Sequence, residues 1–422
     1  MRINKLASAL AVVGLVTGSG AAFATNGYFS HGYGMKAKGM GGVGIALGQD
    51  SLAAATNPAN MVLVGNRWDV GIDWFSPDRE AKLASTSVAY DGNETPNFFI
   101  PEFGYNKMVN ANMSFGVSVY GNGGMNTDYK TNPPSGLGGT FGTGNLGVDL
   151  SQLFIAPTFS MKINEQHSVG VSLNLAYQRF KAFGLHNFAG FTPSGTTNNL
   201  TNLGYDDSYG AGVHIGWTGQ LSSAVTLAAT YQSRTYMSKF DKYKELFAEG
   251  GDFDIPANYG LGIAVKATPA LTLAADVQYI EYGSVKAIAN KLDFSCTPGT
   301  GNGTCKLGQE NGPGFGWTDM TVLKLAVAYQ FSPALTLRAG YSTGDQPIPG
   351  NQTLFNVIAP AVIQDHGTLG ATWTFSDKSE LTFSYMHAFE HTQKAGTATG
   401  GTGSYDLTMN QDSFGVAYGM KF

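Results

Sequence analysis

From Arg67 to Phe422 the chain alternates apolar with small or polar residues in fourteen segments, joined by six short and seven long connections. A period of two is strand geometry, because successive side chains point to opposite faces. Clipped turns on one side and long loops on the other are the layout of an antiparallel barrel that crosses a membrane. The predicted fold class is therefore all-β, a 14-stranded antiparallel transmembrane β-barrel. A soluble β-sandwich does not explain the pattern. Each strand carries an apolar face, and no second apolar set exists to pack against it.

The segments run 67–76, 97–107, 112–121, 150–162, 168–181, 206–219, 224–236, 257–267, 271–284, 318–331, 335–343, 366–375, 380–390 and 411–422. In the last one Phe414, Val416, Tyr418, Met420 and Phe422 share a face, opposite Gly415, Ala417, Gly419 and Lys421. Trp217, Tyr231, Tyr279, Tyr341 and Trp373 end outward faces, as an interfacial aromatic girdle requires. Charged residues are only 13% of the chain, about half the usual globular share. No internal run reaches the ~18 apolar residues of a membrane helix.

The N-terminus differs. Arg2 and Lys5 precede the apolar run Leu6 to Val16, and Ala22-Phe23-Ala24 fits a small-x-small cleavage pattern. Residues 1–24 are predicted to be a signal peptide, too short for an anchor helix. Residues 25–66 lack the two-residue period and are rich in glycine. Asp50 or Ser51 is expected to cap a short helix through Ala55, which Asn57-Pro58 ends. Such a piece is too small to hold a core alone, so it is expected to sit in the lumen as a plug, with residues 67–422 forming the barrel. Cys296 and Cys305, inside a Gly-rich loop of an exported chain, read as a disulfide stapling that loop.

The remaining features exclude several function classes. Basic residues number 25 against 30 acidic, without a basic cluster, so nucleic acid is not an expected partner. The seven histidines are scattered, and no catalytic triad, metal, phosphate-loop or cofactor motif appears. Two stretches suggest a greasy surface. Leu354-Phe355 opens an apolar run to Ile363, and Leu246-Phe247 follows the helical-looking Lys242–Glu245. Each reads equally as a capture site for an oily molecule or as internal loop packing. After Tyr120 the third strand meets Gly121-Asn122-Gly123-Gly124. Glycine weakens a strand and marks bulges, so the segment reads either as a kink or as the strand's end.

Gly39–Ala59 (GMGGVGIALGQDSLAAATNPA), above all Asn57-Pro58-Ala59, resembles the N-terminal signature of the FadL family of outer-membrane transporters for long-chain fatty acids and other hydrophobic compounds. Gly340–His387, with its DQPIPGNQT run, is similar to the matching C-terminal part. The resemblance implies a plugged barrel of fourteen strands in the bacterial outer membrane and a terminal Phe422 read by the barrel-assembly machinery. It implies capture of a hydrophobic small molecule by apolar loops and a tighter site near the plug's N-terminus. It also implies release, without an energy source, through a lateral opening at an inward kink of the third strand, which tips Gly121–Gly124 toward the kink. Phe29 or Tyr28 is the counterpart of an N-terminal family Phe that contacts lipid. Arg179 and Lys181 match an Arg-x-Lys pattern, and Lys306 aligns with a basic residue before strand ten. These cations would orient a carboxylate. Arg179 and Lys181 share parity with lipid-facing Tyr177, however. By strict alternation they point outward; either a bulge intervenes, or they stand above the bilayer, where outward does not mean lipid. They read equally as ligand-binding groups and as charges that snorkel at the interface or meet lipopolysaccharide phosphates. A non-enzymatic monomer without cofactors is expected, carrying fatty acids. The rival readings are uptake of aromatic or alkane hydrocarbons, an aqueous porin, and a lipid-acting membrane enzyme.

Overall fold

The computed structural model of the protein describes residues 25–86, 88–131, 139–292, 306–376, 378–396 and 405–422. The predicted signal peptide and the Cys296–Cys305 pair lie outside the described residues. Fourteen long strands make the wall: β1 Arg67–Leu83, β2 Phe98–Asn110, β3 Met113–Tyr129, β4 Leu146–Lys162, β5 His167–Phe183, β6 Asp206–Gln220, β7 Val225–Gln232, β8 Asn258–Lys266, β9 Leu271–Ile280, β10 Met320–Ser332, β11 Leu335–Gly344, β12 Asp365–Thr374, β13 Ser379–Gln393 and β14 Tyr405–Lys421. Each pairs antiparallel with its chain neighbours. β14 pairs back onto β1 from Arg67↔Lys421 to Leu83↔Tyr405. Closure removes the free edges at the two ends of the sheet. Short strands Ala89–Asp91 and Tyr236–Met237 add to β1 and β6.

Alternation decides which side chains meet lipid. Val70, Ile72, Leu173, Leu175, Leu323, Leu325 and Phe414 are exposed on the outer face, while Asp69, Asp73, Ser172, Asn174, Lys324 and Ser413 are buried inside. On the outer face Tyr177, Tyr279, Tyr341 and Tyr385 each donate a hydroxyl hydrogen bond to an aspartate, Asp207, Asp319, Asp365 and Asp412, at 2.6–2.8 Å. These pairs mark the girdle at the long-loop end. Trp217, stacked on His167 near the short turns, marks the opposite one.

Several predicted boundaries move. β3 does not stop at 121 but runs to Tyr129, and β4 begins at Leu146. β7 stops at Gln232, and β9 stops at Ile280, because Tyr282–Ser284 form a 3-10 turn. β1, β13 and β14 extend further toward the long loops than periodicity alone indicated. There they leave the lipid, so the apolar half of the alternation fades while the ladder continues. Residues 242–246 are turns rather than a helix.

The segment 25–66 fills the lumen, and nearly all of it is buried. The helix expected through Ala55 is instead a 3-10 turn, Ala53–Ala55, and a second 3-10 turn, Pro58–Asn60, follows Asn57. Asn57 ends the first and caps the second by accepting from the Ala59 N–H, with Pro58 at the position where its missing N–H costs nothing. The plug fits so closely that a Cβ added at Gly340 of β11 would collide with the Met40–Gly41 backbone.

Candidate functional site

Polar lumen residues bind the lower plug all round the barrel. Lys38 Nζ lies 2.6 Å from Asp73 of β1, whose other oxygen accepts from Ser413 of β14 at 2.6 Å. Glu380 of β13 meets both Lys36 and Arg67, and Arg67 also pairs with Asp69. Asp276 of β9 accepts the Gly44 and Ile45 N–H groups at 2.8 and 3.0 Å. Glu102 of β2 accepts those of Gly34 and Met35 at 3.2 Å. The Asn57 amide donates to Ile45 O at 2.8 Å and to Thr218 of β6 at 3.0 Å. Asn57, Pro58 and Ala59 thus anchor the plug, and Ser160 and Ser168 donate to the Ala59 carbonyl at 3.1 Å.

The tip of the plug, residues 25–33, lies in a different medium. Asn26 and Phe29 bond each other's backbone across a tight turn whose Gly27 has φ 64. The Tyr28 ring centroid is 5.3 Å from that of Phe29, 5.2 Å from Tyr282, 6.0 Å from Trp317 and 6.1 Å from Phe253. The Tyr282 hydroxyl is the polar pin of this nest. It donates to Asn26 O at 2.5 Å and accepts the Tyr28 and Phe29 N–H groups at 3.1 and 3.3 Å. Burial holds this hydroxyl well above the ordinary tyrosine pKa, outweighing the opposite pull of the two N–H groups. It therefore stays a donor.

Beside the tip the wall opens. β2 pairs with β3 only as far as Phe103↔Val119, although β2 continues along β1 to Phe75↔Phe98. β3 bulges between Gly121 and Gly123 while keeping its ladder with β4 up to Tyr129↔Leu146. From Asn122 to Thr127 both faces of β3 are buried, as expected where a strand leaves the wall and turns inward. It then pairs with the plug instead: Gly124 N–H donates to Tyr28 O at 2.9 Å, and Ser30 N–H donates to Asn122 O at 3.1 Å. A Cβ at Gly123 would strike the Tyr28 carbonyl. The bulged Asn122 starts an amide ladder, donating to Gln152 of β4 at 3.0 Å, which donates to Gln178 of β5 at 3.1 Å. Above the break, Asp128 N–H donates to Gly92 O at 3.0 Å and Asp128 O accepts from Glu94 at 3.1 Å. The break is thus a bounded window.

The other sequence candidates scatter. Leu354 and Phe355 are 5% and 1% exposed, so this stretch is no open greasy patch. Phe355 packs 5.5 Å from Phe188 and 5.2 Å from Phe315, roofing the ring cluster. Leu246 and Phe247 are buried in the same cluster. β5 runs regularly past Tyr177, without a bulge, so Arg179 and Lys181 face outward and do not reach the rings. Lys306 sits in a turn before β10, partly buried. Sequence reasoning missed Tyr282, Gln152 and Gln178. The two glutamines carried a signal, since they share inward parity with Phe154 and Ala176.

Residues 12–422 match the family described as Outer membrane protein transport protein (OMPP1/FadL/TodX). The long-chain fatty acid transport proteins of Shigella flexneri and Escherichia coli O157:H7 are each 22% identical over 428 residues, 91% of this chain and 91% of theirs. Among solved structures, the toluene transporter TodX of P. putida has a TM-score of 0.71 at 19% identity, covering 93% of this chain and 99% of that one. A Pseudomonas aeruginosa FadL homologue has a TM-score of 0.70 at 16% identity, covering 94% and 100%. At these identities the likeness speaks for the fold.

Proposed function

The chain belongs to the outer membrane transport family described as OMPP1/FadL/TodX, and from that premise we propose that it carries long-chain fatty acids by unassisted diffusion, releasing them sideways between β2 and β3. As a member of that family it is an outer-membrane β-barrel transporter of hydrophobic compounds and not an enzyme. The observation that supports the lateral route is the lost β2–β3 pairing above Phe103↔Val119, with β3 turned in onto Tyr28 and Phe29. A bore through the plug has no such support, since residues 34–64 bond to strands all round the barrel, which also counts against an aqueous porin.

In this reading the closed roof that includes Leu354 and Phe355 parts to admit the molecule. The rings around Tyr28 and Phe29 hold it, and the kink Gly121–Gly124 lets it out. The aromatic nest suits an apolar chain because ring faces bury large area at low entropic cost. Oleate uptake by cells or proteoliposomes tests the route. Gly123→Val paired with Gly124→Val is expected to abolish most uptake, by driving β3 off the tip and back toward β2. Wild-type uptake in a folded variant refutes the lateral route.

A second reading is transport of neutral hydrocarbons, and one observation favours it: Arg179 and Lys181 turn away from the rings. Titrating the purified protein with oleate and with toluene separates the two. The cargo is the one whose binding quenches Trp317, which stands in the nest.

A further inference from the structure

Arg179 and Lys181 lie two and four residues beyond Tyr177 on the outer face of β5. Tyr177 belongs to the girdle and packs 5.4 Å from Tyr209. A strand rise of ~3.3 Å per residue therefore lifts both cations to headgroup level. They share one ring. The Arg179 guanidinium carbon is 4.4 Å, and the Lys181 ammonium 4.8 Å, from the Tyr205 centroid, within cation–π range. The Tyr205 hydroxyl donates to Asp149 at 3.2 Å, and the Asn126 amide donates to the same oxygen at 3.3 Å. Arg79, on the lumenal side, donates to Asn126 Oδ1 at 3.0 Å. This polar chain crosses the wall where β3 has left β2, so the upper lip of the window is hydrophilic. Beneath it runs an outer cleft whose lining includes Ile100, Pro101, Gly121, Leu153, Tyr177 and Arg179. Ser151 and Gln152 also line it, and Arg179 sets one cation on its rim.

Resting on the lateral route proposed above, we infer that Arg179 and Lys181 form an exit site for the carboxylate of an acyl chain leaving through the window. The tail lies along Pro101 and Leu153 in the cleft. The headgroup stays between guanidinium and ammonium at the interface. A mostly apolar trough ending at Arg179, with Lys181 on the same ring, complements an amphiphile, and its cations offer nothing to a neutral hydrocarbon. A lipid phosphate carries similar charge, but its site need not adjoin the window. Arg179 lines the cleft that leads from the break, and Lys181 stands beside it on the Tyr205 ring, which favours the cargo over a lipid bound elsewhere on the wall.

The test compares oleate with methyl oleate, which keeps the tail and lacks the charge, in proteoliposomes containing lipopolysaccharide. Arg179→Gln with Lys181→Gln is expected to slow oleate transport about tenfold, the scale of one charge-assisted hydrogen bond. Methyl oleate should be unaffected, and the exchange Arg179→Lys with Lys181→Arg should recover most oleate transport. An equal fall for both substrates overturns the inference in favour of a structural role. A fall matched by loss of co-purifying lipopolysaccharide overturns it in favour of a lipid anchor. Unchanged oleate transport in the double variant, while Gly123→Val with Gly124→Val still blocks uptake, overturns the exit site and leaves the lateral route standing. Unchanged uptake in the glycine variant removes both.

Discussion

Residues 34–64 of the plug reach the wall through ions and amides, whereas residues 25–33 reach it mostly through rings and a few backbone hydrogen bonds. Lys36, Lys38, Arg67, Asp73 and Glu380 are almost fully buried, and each is paired. A buried charge left without its partner is costly, so this lower half is locked in one arrangement. The tip is held by non-directional ring contacts that tolerate small shifts, by three hydrogen bonds to one hydroxyl, Tyr282, by two backbone bonds to β3 and by Lys324 of β10, which donates to His31 O at 3.0 Å. The contrast teaches where movement is cheap. A molecule competing for the ring nest can displace the tip without uncovering a single ion pair, and the tip is the part bonded to the inward-turned β3.

That contrast can be broken. Glu380→Ala leaves Lys36 and Arg67 buried with fewer partners, and is expected to lower unfolding stability by about 3–5 kcal/mol, read from the denaturant midpoint of the heat-modifiable folded band. A change within error would mean the lower half is not ion-locked. Tyr282→Phe keeps the ring and removes the pin. Losing hydrogen bonds worth ~1–3 kcal/mol should speed amide exchange at Tyr28 and Phe29 by roughly tenfold or more. Gly44 and Ile45, held by Asp276, should exchange as before. Parallel acceleration at both places would show that the plug moves as one body.

The smallest effect sharpens the picture in the loops over the tip. Asp254 accepts the Met237 N–H at 2.7 Å. Burial, helped by nearby Asp252, raises its carboxyl from 3.8 to about 6. The folded state therefore holds this proton more tightly than the unfolded one. The resulting stability is present below pH ~4 and is lost as pH rises through about 6. Protection of the Met237 amide, corrected for intrinsic exchange, should be greater at pH 5 than at pH 7.5. Asp254→Asn should flatten that difference.

Much of this was legible beforehand, and the reasons are local. The outward set Leu173, Leu175 and Tyr177 and the inward set Ser172, Asn174 and Ala176 follow from the pleat alone, whereas the facing of Arg179 and Lys181 was settled only by the unbroken ladder of β5. Three glycines around Asn122 fitted a kink and a strand's end alike, because glycine serves both, and the family resemblance favoured the kink. The run Leu354–Ile363 was ambiguous, since an apolar loop looks alike whether it faces water or roofs a cluster. Tyr282 carried no signal, because its partners lie more than 250 residues away in sequence.

The wall was thus written into the chain residue by residue: fourteen strands, their two faces and a weak point in the third. These depend on backbone geometry and on transfer of side chains to lipid, both of which act within a few residues. Whether β3 turned inward, what it bonded after leaving β2, and which hydroxyl pinned the tip were decided only when the barrel closed around its plug. Closure brings distant groups into a low-dielectric space where each buried N–H and charge must find a partner, and that matching belongs to the whole fold.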